Sequence, residues 1–283
     1  MFITEINLPG APVLVGAYRE LNATSYVDVE VAGNVAYVSD GDALHILDVS
    51  QPAAPVEIGI YQPGGLGITV AGNYAYIAAG PSGLRIIDVA APAAPIEVGY
   101  YVTPGSAAGV AVAGNYAYVA DTDAGGLRII SVSDPSKPTE VGYYDTPGIA
   151  YSVDVAGNYA YVADGSSGGL RVISVADPAN PTEVGYCDTP GNAESDAVAG
   201  NYVYVADSYD GCRVISVIIT SGDAGSNDPA RGADDKAALA HLREDEQIAA
   251  NLRLGIHDTV FLHYPDGELE PTLQLRRDLA RLI

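Results

Sequence analysis

The string Ala-Gly-Asn occurs five times, ending at Asn34, Asn73, Asn115, Asn158 and Asn201. The Gly-to-Gly spacings are 39, 42, 43 and 43 residues. This period constrains the fold more than any other property of the chain. Each copy must be one supersecondary unit that buries its apolar face against its neighbours.

The copy at residues 151–191 shows what the unit is. Run A, Tyr151–Val155, alternates in polarity, and Ala156-Gly157-Asn158 makes a tight turn. In run B, Tyr159–Ala163, the two tyrosines share one face by the period-2 rule. A turn at Asp164–Gly169 leads to run C, Leu170–Val175. The loop Ala176–Pro181 interrupts pairing, because proline has no N–H to donate. Run D is Thr182–Cys187, and Asp188-Thr-Pro-Gly191 leads into the next copy. Four short strands joined by tight turns describe a propeller blade better than a β-helix rung, whose repeat is usually shorter. The expected fold is mainly β: a β-propeller of about five four-stranded blades, with a short C-terminal α/β segment. A run D also occurs at Val13–Tyr18, before the first full copy, and the fifth copy stops after run C. Residues 12–18 are therefore expected to supply the missing strand and close the ring.

Net charge is −23, and residues 1–217 hold 24 acidic but only 6 basic side chains. That excludes a nucleic-acid backbone as partner. It favours a protein or carbohydrate partner at an acidic surface. Strand alternation puts the B–C and D–A loops on one side. That side gathers Asp40, Asp42, Asp121, Asp123, Asp164, Asp207 and Asp210 from B–C turns, with Asp145 and Asp188 from D–A turns. The second copy has Gly80 in place of the aspartate. Such a face could take a cation, calcium included, although Asp121–Gly125 lacks the later bidentate Glu of a calcium loop. The competing reading is structural, since aspartate bonds its own backbone in turns. The repeated tyrosines, Tyr74/Tyr76 through Tyr202/Tyr204, suit inter-blade packing better than sugar platforms. His45, in a run C position, reads as a partly exposed packing residue. Cys187 and Cys212 each replace a packing residue and read as free thiols. No apolar run reaches the roughly 18 residues of a membrane span. The N-terminal residues lack the charged start and apolar core of a signal peptide.

The run C strings are Leu44–Asp48, Leu84–Asp88, Leu127–Ser131, Leu170–Ser174 and Cys212–Ser216. They resemble the LVIVD repeat of bacterial and archaeal surface proteins, over residues 12–217. The resemblance implies a propeller domain at 1–217 and an extracellular or cell-surface location. It implies no ligand.

After Val217 the period never returns. Residues 233–254 carry helix formers with apolar spacing, residues 258–263 read as a strand, and residues 271–283 as a second helix. Three ordered strings, Thr220–Pro229, Arg243–Gln247 and Val260–Leu269, resemble the PIG-L/LmbE family of zinc-dependent N-acetylglucosaminyl deacetylases. The resemblance implies a truncated Rossmann-like layer at 218–283, with Asp266 as a possible substrate contact. That family's metal site needs a His-Pro-Asp-Asp string and a His-x-x-His string, and neither occurs in this chain. Zinc would follow only from a complete site. His241, His257 and His263 lie in no such pattern. The expected function is thus non-enzymatic binding or scaffolding. The alternatives are deacetylation, expected inactive here with no catalytic residues assigned, and a calcium-dependent surface adhesin. Arg213–Ile219 satisfies both a run C strand and the apolar strand that precedes the Gly-Asp-Ala-Gly loop. The two pieces are therefore expected to join there.

Overall fold

The structure is a computed structural model, and it describes residues 1–5, 13–18, 27–123, 125–200, 202–208, 213–220 and 258–264. In chain order the elements begin with β1 (Phe2–Glu5) and β2 (Val13–Ala17). Next come β3 (Asp28–Ala32), β4 (Val35–Ser39), β5 (Leu44–Asp48) and β6 (Val56–Tyr61). The following copy gives β7 (Gly67–Ala71), β8 (Tyr74–Ala78), β9 (Leu84–Asp88) and β10 (Ile96–Tyr101). Then follow β11 (Ser106–Ala113), β12 (Tyr116–Thr122), β13 (Gly126–Ser131) and β14 (Thr139–Tyr144). The fourth full copy gives β15 (Ser152–Ala156), β16 (Tyr159–Ala163), the single turn α1 (Gly165–Gly168), β17 (Leu170–Ser174) and β18 (Thr182–Cys187). The last strands are β19 (Asn192–Ala199), β20 (Tyr202–Ser208), β21 (Arg213–Thr220) and β22 (Asp258–Tyr264).

The fold is mainly β and propeller-like. Among the described residues, five sheets have four strands and one has two. Each full copy of the repeat is one antiparallel meander whose strands pair in sequence order. The chain divides into two compact units, Met1–Tyr143 and Tyr144–Ile283.

Two kinds of glycine hold the meander in shape. In the A–B turns, Gly33, Gly72, Gly114, Gly157 and Gly200 have φ between 59° and 62°, and a Cβ there would touch nothing within 4 Å. These positions need glycine for conformation alone. In run D the reason is proximity. A Cβ on Gly16, Gly59 or Gly99 would collide with the carbonyl oxygen of Pro52, Pro92 or Pro135 respectively, each in the C–D loop of the following copy.

Run D also carries a recurring bulge. The register between strands C and D skips Ile58, Val98 and Val184 in three copies. The β1–β2 pair skips Val15 at the same place, with Ile3 opposite Gly16 and Thr4 opposite Leu14. So β1–β2 is a C–D pair of the repeat, and Phe2–Glu5 stands where the other copies have run C. This corrects the expectation for residues 12–18. β2 pairs with β1, and β22 is the fourth strand of the fifth sheet.

That fifth sheet is mixed. β21 pairs antiparallel with β20, as run C should, and parallel with β22. A parallel neighbour requires a long crossover, and residues 221–257 connect the two strands. The strand expected at 258–263 is thus present. The helices expected at 233–254 and 271–283 lie outside the described residues.

Within each unit the core lies between successive sheets. Tyr76, Ala78, Leu84 and Ile86 pack with Ala107, Val110 and Val119 of the next sheet. Tyr37, Leu44 and Ile46 pack likewise with Ile68 and Ile77. In the second unit, Ala163 and Leu170 pack with Ala193, Val203 and Val205, with Tyr161 and Cys187 against them. The run B tyrosines are therefore packing residues.

Candidate functional site

The B–C and D–A loops meet at one end of each sheet, and the aspartate that ends run B joins them. Asp121 accepts hydrogen bonds from Thr103 Oγ1 at 2.7 Å and Gly105 N–H at 2.8 Å. Asp164 accepts from Thr146 Oγ1 and, at 2.8 Å, from Gly148 N–H. Asp207 accepts from Gly191 N–H at 2.8 Å. In this last copy the hydroxyl half is unmade: Thr189 Oγ1 and Asp207 Oδ1 are buried without hydrogen-bond partners. The string Thr-Pro-Gly is thus the acceptor's counterpart in these three lead-in loops, where the second copy has Gln62-Pro63-Gly64. α1 follows Asp164 with no side-chain cap, because that carboxylate is turned to the lead-in loop.

These aspartates point inward. Asp121, Asp164 and Asp207 are at most 1% exposed, and the Asp40 side chain is 7% exposed. Burial raises the Asp164 carboxyl above the ordinary range, against the lowering effect of Thr146, Gly148 and Arg171. Asp42, Asp123, Asp145 and Asp188 are exposed. Asp123 has a positive φ of 68°, which aspartate tolerates in a turn. Asp210 and Asp266 lie outside the described residues. The structure also corrects the register of the second copy. Gly80 bridges Ala107 as Gly165 bridges Ala193. Ala79, not Gly80, therefore stands at the aspartate position.

Behind Asp40, Asp121 and Asp164 a basic side chain from run C is sandwiched. Arg171 lies 3.8 Å from Asp164, 3.7 Å from Glu183 and 4.0 Å from Asp188. Its guanidinium sits 4.8 Å from the Tyr186 ring centroid. Arg128 repeats the arrangement with Asp121, Glu140 and Tyr143. Arg85 has Glu97 and Tyr100, and no aspartate, because Ala79 fills that position. His45 takes the arginine position in the first full copy. It is 0% exposed, with Nδ1 at 2.7 Å from Glu57 and Nε2 at 3.2 Å from Asp40. The expectation of a partly exposed packing residue is thus corrected: two carboxylates draw the ring inward.

A tyrosine from the preceding copy completes each set. Tyr18 donates to Glu57 at 2.5 Å, Tyr61 to Glu97 at 2.5 Å and Tyr144 to Glu183 at 3.3 Å. The carboxylate raises the tyrosine pKa further: at Tyr61, burial comes first and Glu97 second. Burial alone would raise Glu57, but hydrogen bonds from Tyr18 and His45 hold it below the ordinary carboxylate value. Asp40 is lowered in the same way, its burial outweighed by Ala43 N–H, His45 and Asp42 N–H. This Asp–cation–Glu–Tyr chain is invisible within one copy. Its sequence signal is the separation of tyrosine and glutamate, 39, 36 and 39 residues in these three pairs, which follows the repeat. Cys187 stands where the tyrosine would be in the last full copy, and no glutamate follows it at that spacing. Cys187 is a free thiol whose pKa is raised by burial and then by Asp188, so it is a poor nucleophile. Cys212, His241 and His257 lie outside the described residues. His263 lies in β22.

Chemically, these groups pair opposite charges with one another. Among the described residues, no group of three or more His, Cys, Asp or Glu could hold a metal ion. Among them, too, no helix is long and apolar enough to cross a membrane.

Comparison with known proteins agrees with this geometry. The family model described as LVIVD repeat matches residues 25–62, 66–103, 104–146 and 147–189. The model described as GlcNAc-PI de-N-acetylase matches residues 196–283, a stretch that begins within β19 and takes in the mixed sheet. The two-part composition of the chain is thereby shown. No curated protein sequence matches. Among solved structures, a functionally unknown protein from Desulfotomaculum acetoxidans aligns at 15% identity and a TM-score of 0.56, over 65% of this chain and 63% of that one. The computationally designed Ika8 protein aligns at 10% identity and 0.54, over 71% and 61%. U3-55K aligns at 12% identity and 0.57, over 69% and 62%. The chain thus spans less than two thirds of the length of each, and the likeness is one of fold.

Proposed function

We propose, from the premise that this chain belongs to the LVIVD-repeat family, that it is a non-enzymatic binding or scaffold protein. Its contact surface is the rim of B–C and D–A loops in each unit. One observation carries the reading. The buried carboxylates of the repeat are bonded to lead-in loops, cations and tyrosines, and a second set, Asp42 and Asp123 in the first unit and Asp145 and Asp188 in the second, is exposed on those loops, Asp188 at 4.0 Å from Arg171. A surface of exposed carboxylates on rigid turns suits a partner that brings positive charge, and attraction at such a surface weakens with salt. The domain reading that goes with it is a repeat domain at 1–217 followed by a deacetylase-like segment at 218–283.

Calorimetric titration with an oligolysine peptide tests this. Binding is expected at low ionic strength, to weaken severalfold in D42N/D123N and in D145N/D188N, and to fall with added salt. No binding, or binding indifferent to all four substitutions, overturns it.

A second reading has its own support in the match over 196–283 and in the parallel β21–β22 pair. It is carbohydrate amide hydrolysis by a zinc-dependent deacetylase. The chain lacks both metal-binding strings of that family, so the segment is expected to be inactive. Metal content and acetate release from N-acetylglucosamine decide it: stoichiometric zinc with turnover would establish the enzymatic reading.

A further inference from the structure

The fifth sheet contains a carboxylate that the repeat does not call for. Counting back from each Ala-Gly-Asn turn, Asp196 occupies the position of Ile68, Val110 and Val153. Those three are 5%, 8% and 6% exposed, Ile68 and Val110 pack against the preceding sheet, and the first copy differs in having Val29 49% exposed. Asp196 sits mid-strand in β19, opposite Val205 of β20. Both its carboxylate oxygens are buried, and neither makes a hydrogen bond of ordinary geometry, although Ser152 and the N–H groups of Asp154 and Ala163 lie nearby.

The surroundings offer it no counter-charge. β19 packs against β15, β16 and α1 and pairs with β20. From β15 it meets Asp154, whose two oxygens already accept the N–H groups of Val155 and Val198, each at 2.7 Å. Ser152, also on β15, accepts the Asp196 N–H at 3.4 Å. β16 brings Tyr159 and Tyr161 and, past its end, Asp164. β20 brings Tyr202 and Tyr204, and Asp207 near its end. α1 is Gly-Ser-Ser-Gly and carries no ionisable group. On β19 itself, Glu194 is exposed and bonded to Ser208 and Asn192. The ionisable side chains of these elements are thus carboxyls and phenols, with no cation among them. A buried carboxylate with no cation beside it and another carboxylate nearby is held most cheaply as the neutral acid.

A second observation concerns the same sheet. Its lead-in loop is tied by Gly191 N–H to Asp207 alone, because the Thr189–Asp207 bond is unmade. The third and fourth full copies have both bonds. The fifth sheet is therefore the more loosely fastened one.

We propose that Asp196 is a proton-operated latch, which holds β19 against β15 when neutral and loosens the fifth sheet, with the β21–β22 pair it carries, when ionised. Burial, with Asp154 as a smaller contributor, pushes the Asp196 carboxyl up to about 7, while the donors on Ser152, Asp154 and Ala163 act in the other direction. The sign follows. The folded pKa lies above the unfolded one, so the folded state holds more protons between them. Protection of β19 is then greatest below about pH 4, falls as pH rises towards 7, and levels off above that.

Native-state hydrogen exchange of the full chain, corrected for intrinsic amide rates, tests this. Peptides covering residues 192–199 should open tens-fold more readily at about pH 7 than at about pH 5. Peptides covering the equivalent β11, with Val110 in place of the acid, should not. D196V, which restores the side chain of the other copies, should remove the dependence and keep β19 protected at both pH values. D196N removes the titration without an apolar side chain and provides the same readout should D196V fold poorly. Equal pH dependence in wild type and either variant, or no pH dependence in wild type, overturns the latch.

Discussion

What a carboxylate does in this chain is decided by its neighbours. Asp164 is buried and holds a loop through Thr146 and Gly148 while facing Arg171. D164A should therefore strand three polar groups at once. A loss of about 2–4 kcal/mol is expected in urea unfolding, with D164N losing less because it keeps part of the hydrogen bonding. Asp40 and Glu57 flank His45, and both carboxyls are held below their ordinary values. A lowered folded pKa contributes stability that is present above about pH 4 and is lost as pH falls through the folded value. The variant D40N/E57Q should have a lower melting temperature near pH 6, and a shallower decline than wild type between about pH 4 and pH 3. Asp42, by contrast, is exposed and available to a partner.

At the scale of the element, the glycines separate what could be read from the sequence from what could not. The Ala-Gly-Asn turn was legible because its cause is local: Gly72 needs a positive φ, and Gly-Asn is the sequence signature of that need. G72A should cost about 1–2 kcal/mol, and G72N should recover much of that, since asparagine tolerates the left-handed region. Gly99 gives no such signal, because its requirement comes from the Pro135 carbonyl of the next copy. G99A should cost about 3 kcal/mol or more in chemical unfolding, with G99N no better, as both drive a side chain into backbone. The candidate site divides in the same way. The aspartates were legible as a recurring set, and so was their end of the sheet. Their inward direction was not, because it depends on Thr-Pro-Gly loops some 16–18 residues earlier. The histidine was misjudged for the same reason: position 45 inherits its two carboxylates from run B and run D.

At the scale of the molecule, copies within a unit are coupled to the next by a few recurring devices, namely a run D glycine under a proline loop in the first unit and a tyrosine on a glutamate in both. Stability in such an array is a sum of copies and the junctions between them. The mixed sheet departs from this, and its consequence is one of time. Every antiparallel strand from β3 to β21 finds its partner a turn or a short loop away. β22 must wait for residues 221–257 to be crossed before it can join β21. Pairings that close long segments form late, because the entropy of closure precedes any reward. Refolding should therefore show a fast phase for the meanders and a slower one for the arrival of β22. Removing residues 221–283 should abolish the slower phase alone. In a cell that interval leaves the far edge of β21 uncovered, an apolar strand open to any chain that reaches it first.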